Sequence, residues 1–210
     1  AVIPELTFDK FQAFHARYYH PSNAYIILYG DMDMEKKLRW LDEAYLSEYD
    51  AIQPDSEIRL QPAFTKLHKE EISYSVGAQE SLEKNTYLSW NVVVDALDNK
   101  RNLAMDILDY VLLSAPGAPL KQALIEAGIG EDIFGGFEDG IRQPYFSVNA
   151  KGADAKDQKR FLSVIETTLR RLVKEGLDQA SILAAIHHDE FQYREADYGR
   201  SPKGLVYGLT

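Results

Sequence analysis

An α+β fold, with a largely antiparallel sheet covered by helices on one face, is what this 210-residue sequence predicts. Apolar residues recur in stripes at three- and four-residue spacing, and between the stripes lie short apolar runs of strand length. Their order is helix, strand, helix, two strands, two helices, at least one strand, two helices. Two of the runs, around 64–74 and 86–94, are joined by a short polar link, which favours an antiparallel pair. The composition can support a core: 45% of residues are hydrophobic and 27% charged, far from the range of disordered chains.

Thr7 stands as an N-cap before Phe8, Phe11, Phe14 and Tyr18, which share one helical face. His20-Pro21-Ser22-Asn23 ends that helix, because proline cannot continue it and pushes the preceding residue out of the α region. The run 24–29, AYIILY, closes at Gly30 and reads as a strand buried on both faces. Asp31 or Asp33 then caps a helix whose stripe is Met34, Leu38, Leu41 and Tyr45. Residues 50–63, with Pro54 and Pro62, read as a connection.

Residues 64–74 are extended but charged, which suits a strand with one face or one edge in water. Leu88, Trp90, Val92 and Val93 make 86–94 a central strand. Leu103, Ile107, Leu108 and Val111 mark a helix, and the Ala115-Pro116-Gly117 break separates it from a shorter one ending at the Gly128 cap. The glycines of 130–140 sit at the start of a strand and permit a bulge or a close backbone approach. Residues 145–150 alternate like a half-buried strand that Lys151-Gly152 ends. Phe161, Ile165, Leu169 and Leu172 define a long amphipathic helix closed by Gly176, and a new helix starts after Asp178 and runs to about Glu195.

Charge and composition exclude several functions. The formal net charge is −10, so a phosphate backbone is repelled and no nucleic-acid partner is expected. The acidic excess either keeps the chain in solution or suits a cationic peptide. No uninterrupted apolar run approaches the roughly 20 residues of a membrane span, so no membrane partner is expected. The absence of cysteine rules out a disulfide scaffold and thiolate chemistry, and it fits a reducing compartment, with the cytoplasm favoured.

The residues that could carry chemistry fall short of it. His68 with Glu71 and His187 with Glu190 begin the inverted H-x-x-E-H zinc motif, but Ile72 and Phe191 occupy the place of its second histidine. His187 and His188 point about 100° apart on a helix and cannot chelate one ion together. The calcium-loop resemblance of Asp31, Asp33 and Glu35 fails at Lys36, where glycine is needed. The glycines of 128–140 match no phosphate-binding pattern, since no lysine follows them and the stretch is acidic. No catalytic residue and no metal ligand is therefore assigned, and substrate-binding residues stay open.

Residues 11–33, FQAFHARYYHPSNAYIILYGDMD, resemble the segment that closes the first domain and opens the second in pitrilysin- and insulinase-type zinc metallopeptidases. Residues 124–152, LIEAGIGEDIFGGFEDGIRQPYFSVNAKG, and 191–204, FQYREADYGRSPKG, look like the presequence-protease branch. The resemblance implies the α+β fold of that family's metallohydrolase domains and the second, non-catalytic domain of four. It implies that zinc sits in the first domain of the full protein and that no cofactor belongs to this fragment. Residues 1–23 would close the preceding domain or linker, 24–196 form a single α+β domain, and 197–210 start the segment leading to the next.

By the same resemblance the domain would help enclose a chamber for unfolded peptides, with the other domains as partners, and would self-associate when isolated. An alternative is a scaffold subunit lacking the zinc motif. Another is a peptide-binding module that captures extended segments by strand addition at 64–74.

Overall fold

The computed structural model describes residues 3–94 and 98–209. Expectations touching Ala1, Val2 and Thr210 lie outside the described residues. The chain divides into two compact units, Ala1–Arg59 with Ala196–Thr210, and Leu60–Glu195.

In the first unit, α1 (Phe8–Tyr18) starts where expected, with Thr7 accepting the Lys10 N–H at 3.3 Å. Its aromatic stripe stays open to solvent, with Phe8, Phe11 and Phe14 each more than half exposed. Pro21–Asn23 forms a short 3-10 turn that His20 caps by accepting the Ser22 N–H through Nδ1. Helix α2 (Met34–Ala44) is capped by Asp33, which accepts the Lys36 N–H at 3.0 Å. Of the two aspartates, Asp33 is thus the cap.

The run 24–29 corrects the sequence reading: it belongs to no sheet among the described residues, and Tyr25 is fully exposed. With no strand beside it among the described residues of this unit, its side chains pack instead on α7 (Lys203–Leu209). The Tyr29 ring lies against Gly204, and Ile27 lies 3.2 Å from where a side-chain carbon at residue 208 would project.

The second unit holds the sheet. Strands β1 (Thr86–Val93), β2 (Asp132–Glu138) and β3 (Tyr145–Ala153) are antiparallel in the order β1-β3-β2. The expectation that 86–94 is central is therefore corrected: β3 is central, and β1 is an edge among the described strands. The expected strand 64–74 carries no ladder and is solvent-exposed throughout. The glycine-rich stretch is itself strand β2, and the close approach it permits is real, since a side chain at Gly135 would overlap the Ser147 carbonyl. Strand β3 also runs through Lys151-Gly152 to Ala153 rather than ending there.

Alternation along β3 buries Phe146, Val148 and Ala150 on one face. Three helices cover that face. Helix α3 (Asn99–Asp109) passes into a π-helical turn, Tyr110–Ser114, closed by the Ala115 N–H bonding to the Tyr110 carbonyl at 2.7 Å. The wider turn brings three consecutive residues, Val111, Leu112 and Leu113, into the interior. Helix α4 (Pro119–Glu126) adds Leu120 and Leu124, and Gly128 follows it at φ +66°, the left-handed conformation that ends a helix at least cost in glycine. Helix α5 (Gln158–Glu175) contributes Phe161 and Ile165 to the same cluster.

Asn99–Glu126 is long and apolar enough by composition to cross a membrane. It is not one continuous helix, however: residues 115–118 interrupt it, and its apolar side chains fill this core. Helix α6 (Gln179–Glu195) packs on α3, with Ala185 fully buried.

Candidate functional site

The motif residues singled out in the sequence are not brought together. His68 is exposed on a non-helical segment, and its Nε2 pairs with Glu70 Oε1 at 2.9 Å rather than with Glu71. On α6, His187 faces solvent and Glu190 pairs with Arg194. The His188 ring stacks on Tyr110 with centroids 5.0 Å apart, and Gln192 Nε2 lies 3.1 Å from its Nε2. His15 stacks on Tyr19, and His20 is spent on its turn. Among the described residues, no three His, Asp or Glu side chains are placed to hold a metal ion. The donors among the described residues do not converge as zinc, with its defined ligand geometry, requires.

A cluster that sequence reasoning missed lies where α3, α6 and β2 meet. Burial raises Asp109 above the usual carboxylate range, opposed by the Phe137 backbone N–H that it accepts. Burial also raises Asp106, and like charge on Asp139, Asp189 and Asp109 adds to the shift. Buried oxygens of Asn102, Asp109 and Asp189 have no hydrogen-bond partner among the described residues. The i, i+3 spacing of Asp106 and Asp109 was visible in the sequence. That α6 and the 139 loop would bring two further carboxylates was not.

The cluster has a structural consequence for the sheet. The Val94 N–H bonds to the Pro144 carbonyl, so even-numbered residues of β1 turn their backbone groups toward β3, and odd-numbered residues of β3 serve β2. Ile133, Gly135 and Phe137 then point their backbone groups outward. The Asp109 carboxylate sits beside β2, its Oδ2 3.1 Å from where a side-chain carbon at Gly136 would project, and the nearby Phe137 N–H partly offsets the upward shift that burial imposes.

At the end of the sheet a shallow cleft is lined by Lys84, Tyr87, Glu131, Asp132 and Lys151. Its opposite charges offset one another, with Lys84 Nζ 3.7 Å from Glu131, and it selects no ligand charge.

What fold and site define together is an α+β chain whose described residues gather no cluster of metal ligands. The pattern of the peptidase M16 inactive domain matches residues 5–188, and the chain belongs to that family. Protein HypA of Clostridium perfringens is 43% identical over 208 residues, 99% of this chain and 21% of that protein. Presequence protease 1, chloroplastic/mitochondrial, of Arabidopsis thaliana is 36% identical over 97% of this chain and 19% of its own length. The chain thus spans about a fifth of these relatives.

Among solved structures, the peptidase M16 inactive domain from Pseudomonas fluorescens superposes with a TM-score of 0.63 at 20% identity, covering 99% of this chain and 46% of that one. A protease from Helicobacter pylori gives a TM-score of 0.60 at 17% identity, over 92% and 46%. At these identities the likeness concerns the fold.

Proposed function

We propose that this domain forms part of the wall of a chamber in a zinc-dependent metalloendopeptidase that degrades unfolded peptides, and that it breaks no bond itself. The observation that carries this reading is its membership of the inactive M16 domain, in a chain spanning about a fifth of relatives that include presequence proteases. Zinc would reside in another domain, because the histidines here are exposed, stacked or paired locally.

The open aromatic face of α1 supports docking against other domains of the full protein. In an isolated chain the same face would drive self-association. The net charge of −10 suits cationic peptides, an attraction that salt would screen. A reducing compartment, the cytoplasm first, fits a chain without cysteine.

The test compares the full-length protein with this 210-residue chain on one unstructured peptide. Full-length protein cleaves it and stops when a chelator is added, while the isolated chain leaves it intact. Chelator-sensitive cleavage by the isolated chain, or one tightly held zinc per chain, overturns the proposal.

A further inference from the structure

Helix α6 is held to the second unit by little apolar surface. Of its 17 residues only Ala185 is buried, while Leu183 and Ile186 are 54% and 42% exposed. It packs on α3 and on the π-helical turn that follows α3. It is also the last element of its unit, ending at Glu195, so it can leave α3 without unthreading the sheet. Where apolar burial is this small, the polar groups trapped in the joint decide how firmly the helix stays docked.

Those groups repel one another. Asp106 and Asp109 come from α3, Asp189 from α6 and Asp139 from the connection after β2, and the charges that bear on Asp106 are the other three, all negative. Buried oxygens of Asp109 and Asp189, one on each side of the joint, have no hydrogen-bond partner among the described residues, and neither has the Asn102 amide oxygen one turn before Asp106. A proton on a carboxyl here turns an acceptor into a donor and removes a charge in the same step. The other titratable groups near the joint are engaged. The His188 ring stacks on Tyr110 at 5.0 Å, with its Nε2 3.1 Å from Gln192 Nε2. Glu190 pairs with Arg194, and Glu138 accepts the Gly140 N–H at 3.0 Å.

A carboxylate of opposite behaviour stands at the start of α6. Asp178 precedes the helix and accepts the Ser181 N–H at 2.7 Å and the Ser181 hydroxyl at 2.8 Å. Its ionised form supports the helix as a cap, and protonation weakens that support.

We propose that the docking of α6 on α3 is a proton-linked switch: the carboxylates of Asp106, Asp109 and Asp189, gathered at the joint, loosen the helix when all are ionised, and uptake of a proton seats it. The sign follows from the direction of each shift. Burial raises Asp106 and Asp109 in the docked state, and like charge raises Asp106 further, so undocking releases protons and is favoured as pH rises through those raised values. Asp178 is lowered by its bonds to Ser181, so its support for α6 is lost only in stronger acid. Helix α6 is therefore most firmly docked between these two limits and loosens on either side. The switch is independent of the chamber reading, because it concerns one joint between helices.

Amide hydrogen exchange in the whole chain, followed from about pH 3 to 8 and expressed as protection factors to remove the intrinsic pH dependence of exchange, tests it. Protection of the α6 amides should pass through a maximum, and above it the opening constant should rise by up to about tenfold per pH unit for each proton released. Amides of α5, which carries none of these carboxylates, serve as the reference and should keep their protection. Asp106→Asn and Asp189→Asn should each flatten the alkaline limb and raise α6 protection near neutral pH, whereas Asp178→Asn should act on the acid limb alone. His188→Gln should leave the alkaline limb in place. Four results overturn the proposal: α6 protection that does not fall above the carboxylate range, a fall that both asparagine variants at 106 and 189 leave unchanged, a fall that His188→Gln abolishes, which would assign it to the imidazole, or α5 protection falling in step with α6, which would make the event global unfolding.

Discussion

Asp109 accepts the Phe137 N–H with its carboxylate while one of its oxygens is buried without a partner, so its ionised form is held at a cost. A carboxyl whose folded-state value lies above its unfolded one contributes stability that is complete below the unfolded value and is lost as pH rises through the folded one. Asp106 and Asp109 both act in this sense. Asp109→Asn should therefore raise the melting temperature most at pH 7 to 8, with the gain shrinking as pH falls into the carboxylate range; melts that show the gain growing in acid would contradict this. Asp178 behaves oppositely. It accepts from the Ser181 hydroxyl and N–H, which lowers it, so its contribution is present at neutral pH and disappears as pH falls through the lowered value. Gly135→Ala should destabilise by at least about 1–3 kcal/mol in denaturant titration, because the new methyl meets backbone of β3 and neither side can give way. The need for glycine in this stretch was legible in the sequence; the partner strand was not, since nothing local to 130–140 names Ser147.

At the scale of elements, helices were read almost to their ends because each carries its own stripe and its own caps. Thr7, Asp33 and Gly128 stand where those signals placed them. Asp33→Ala should cost about 1 kcal/mol of stability, the usual worth of an N-cap, measured by loss of helical signal on heating. Leu120→Ala removes a fully buried side chain between α4 and the sheet and should cost about 2–5 kcal/mol in the midpoint of chemical unfolding. Strands were read less well, and for one reason. The run 24–29 has the composition of a buried strand and 64–74 that of an edge strand, yet a strand exists only where a neighbour supplies the other half of its hydrogen bonds. In this structure Tyr29 lies against Gly204 of a helix, and 64–74 finds no ladder partner among the described residues. The acidic cluster escaped notice for the same reason, since Asp106 and Asp189 are far apart in sequence and meet only through packing.

For the whole molecule, the open face of α1 leads to a prediction about association. In sedimentation, the isolated chain should self-associate, and Phe11→Ser with Phe14→Ser should shift it toward monomer without lowering the unfolding midpoint of the second unit; an unaltered chain that stays monomeric at high concentration would count against a covered face. The sequence by itself determined the α+β class, the helices and their caps, the closeness required at the glycines, and the resemblance that the match over 5–188 bears out. Periodicity, capping and turn chemistry are properties of neighbouring residues, so one chain read in order suffices for them. The tertiary structure alone decided which strand is central, which apolar runs find a partner, and which carboxylates gather around Asp109, because those depend on contacts between residues distant in sequence.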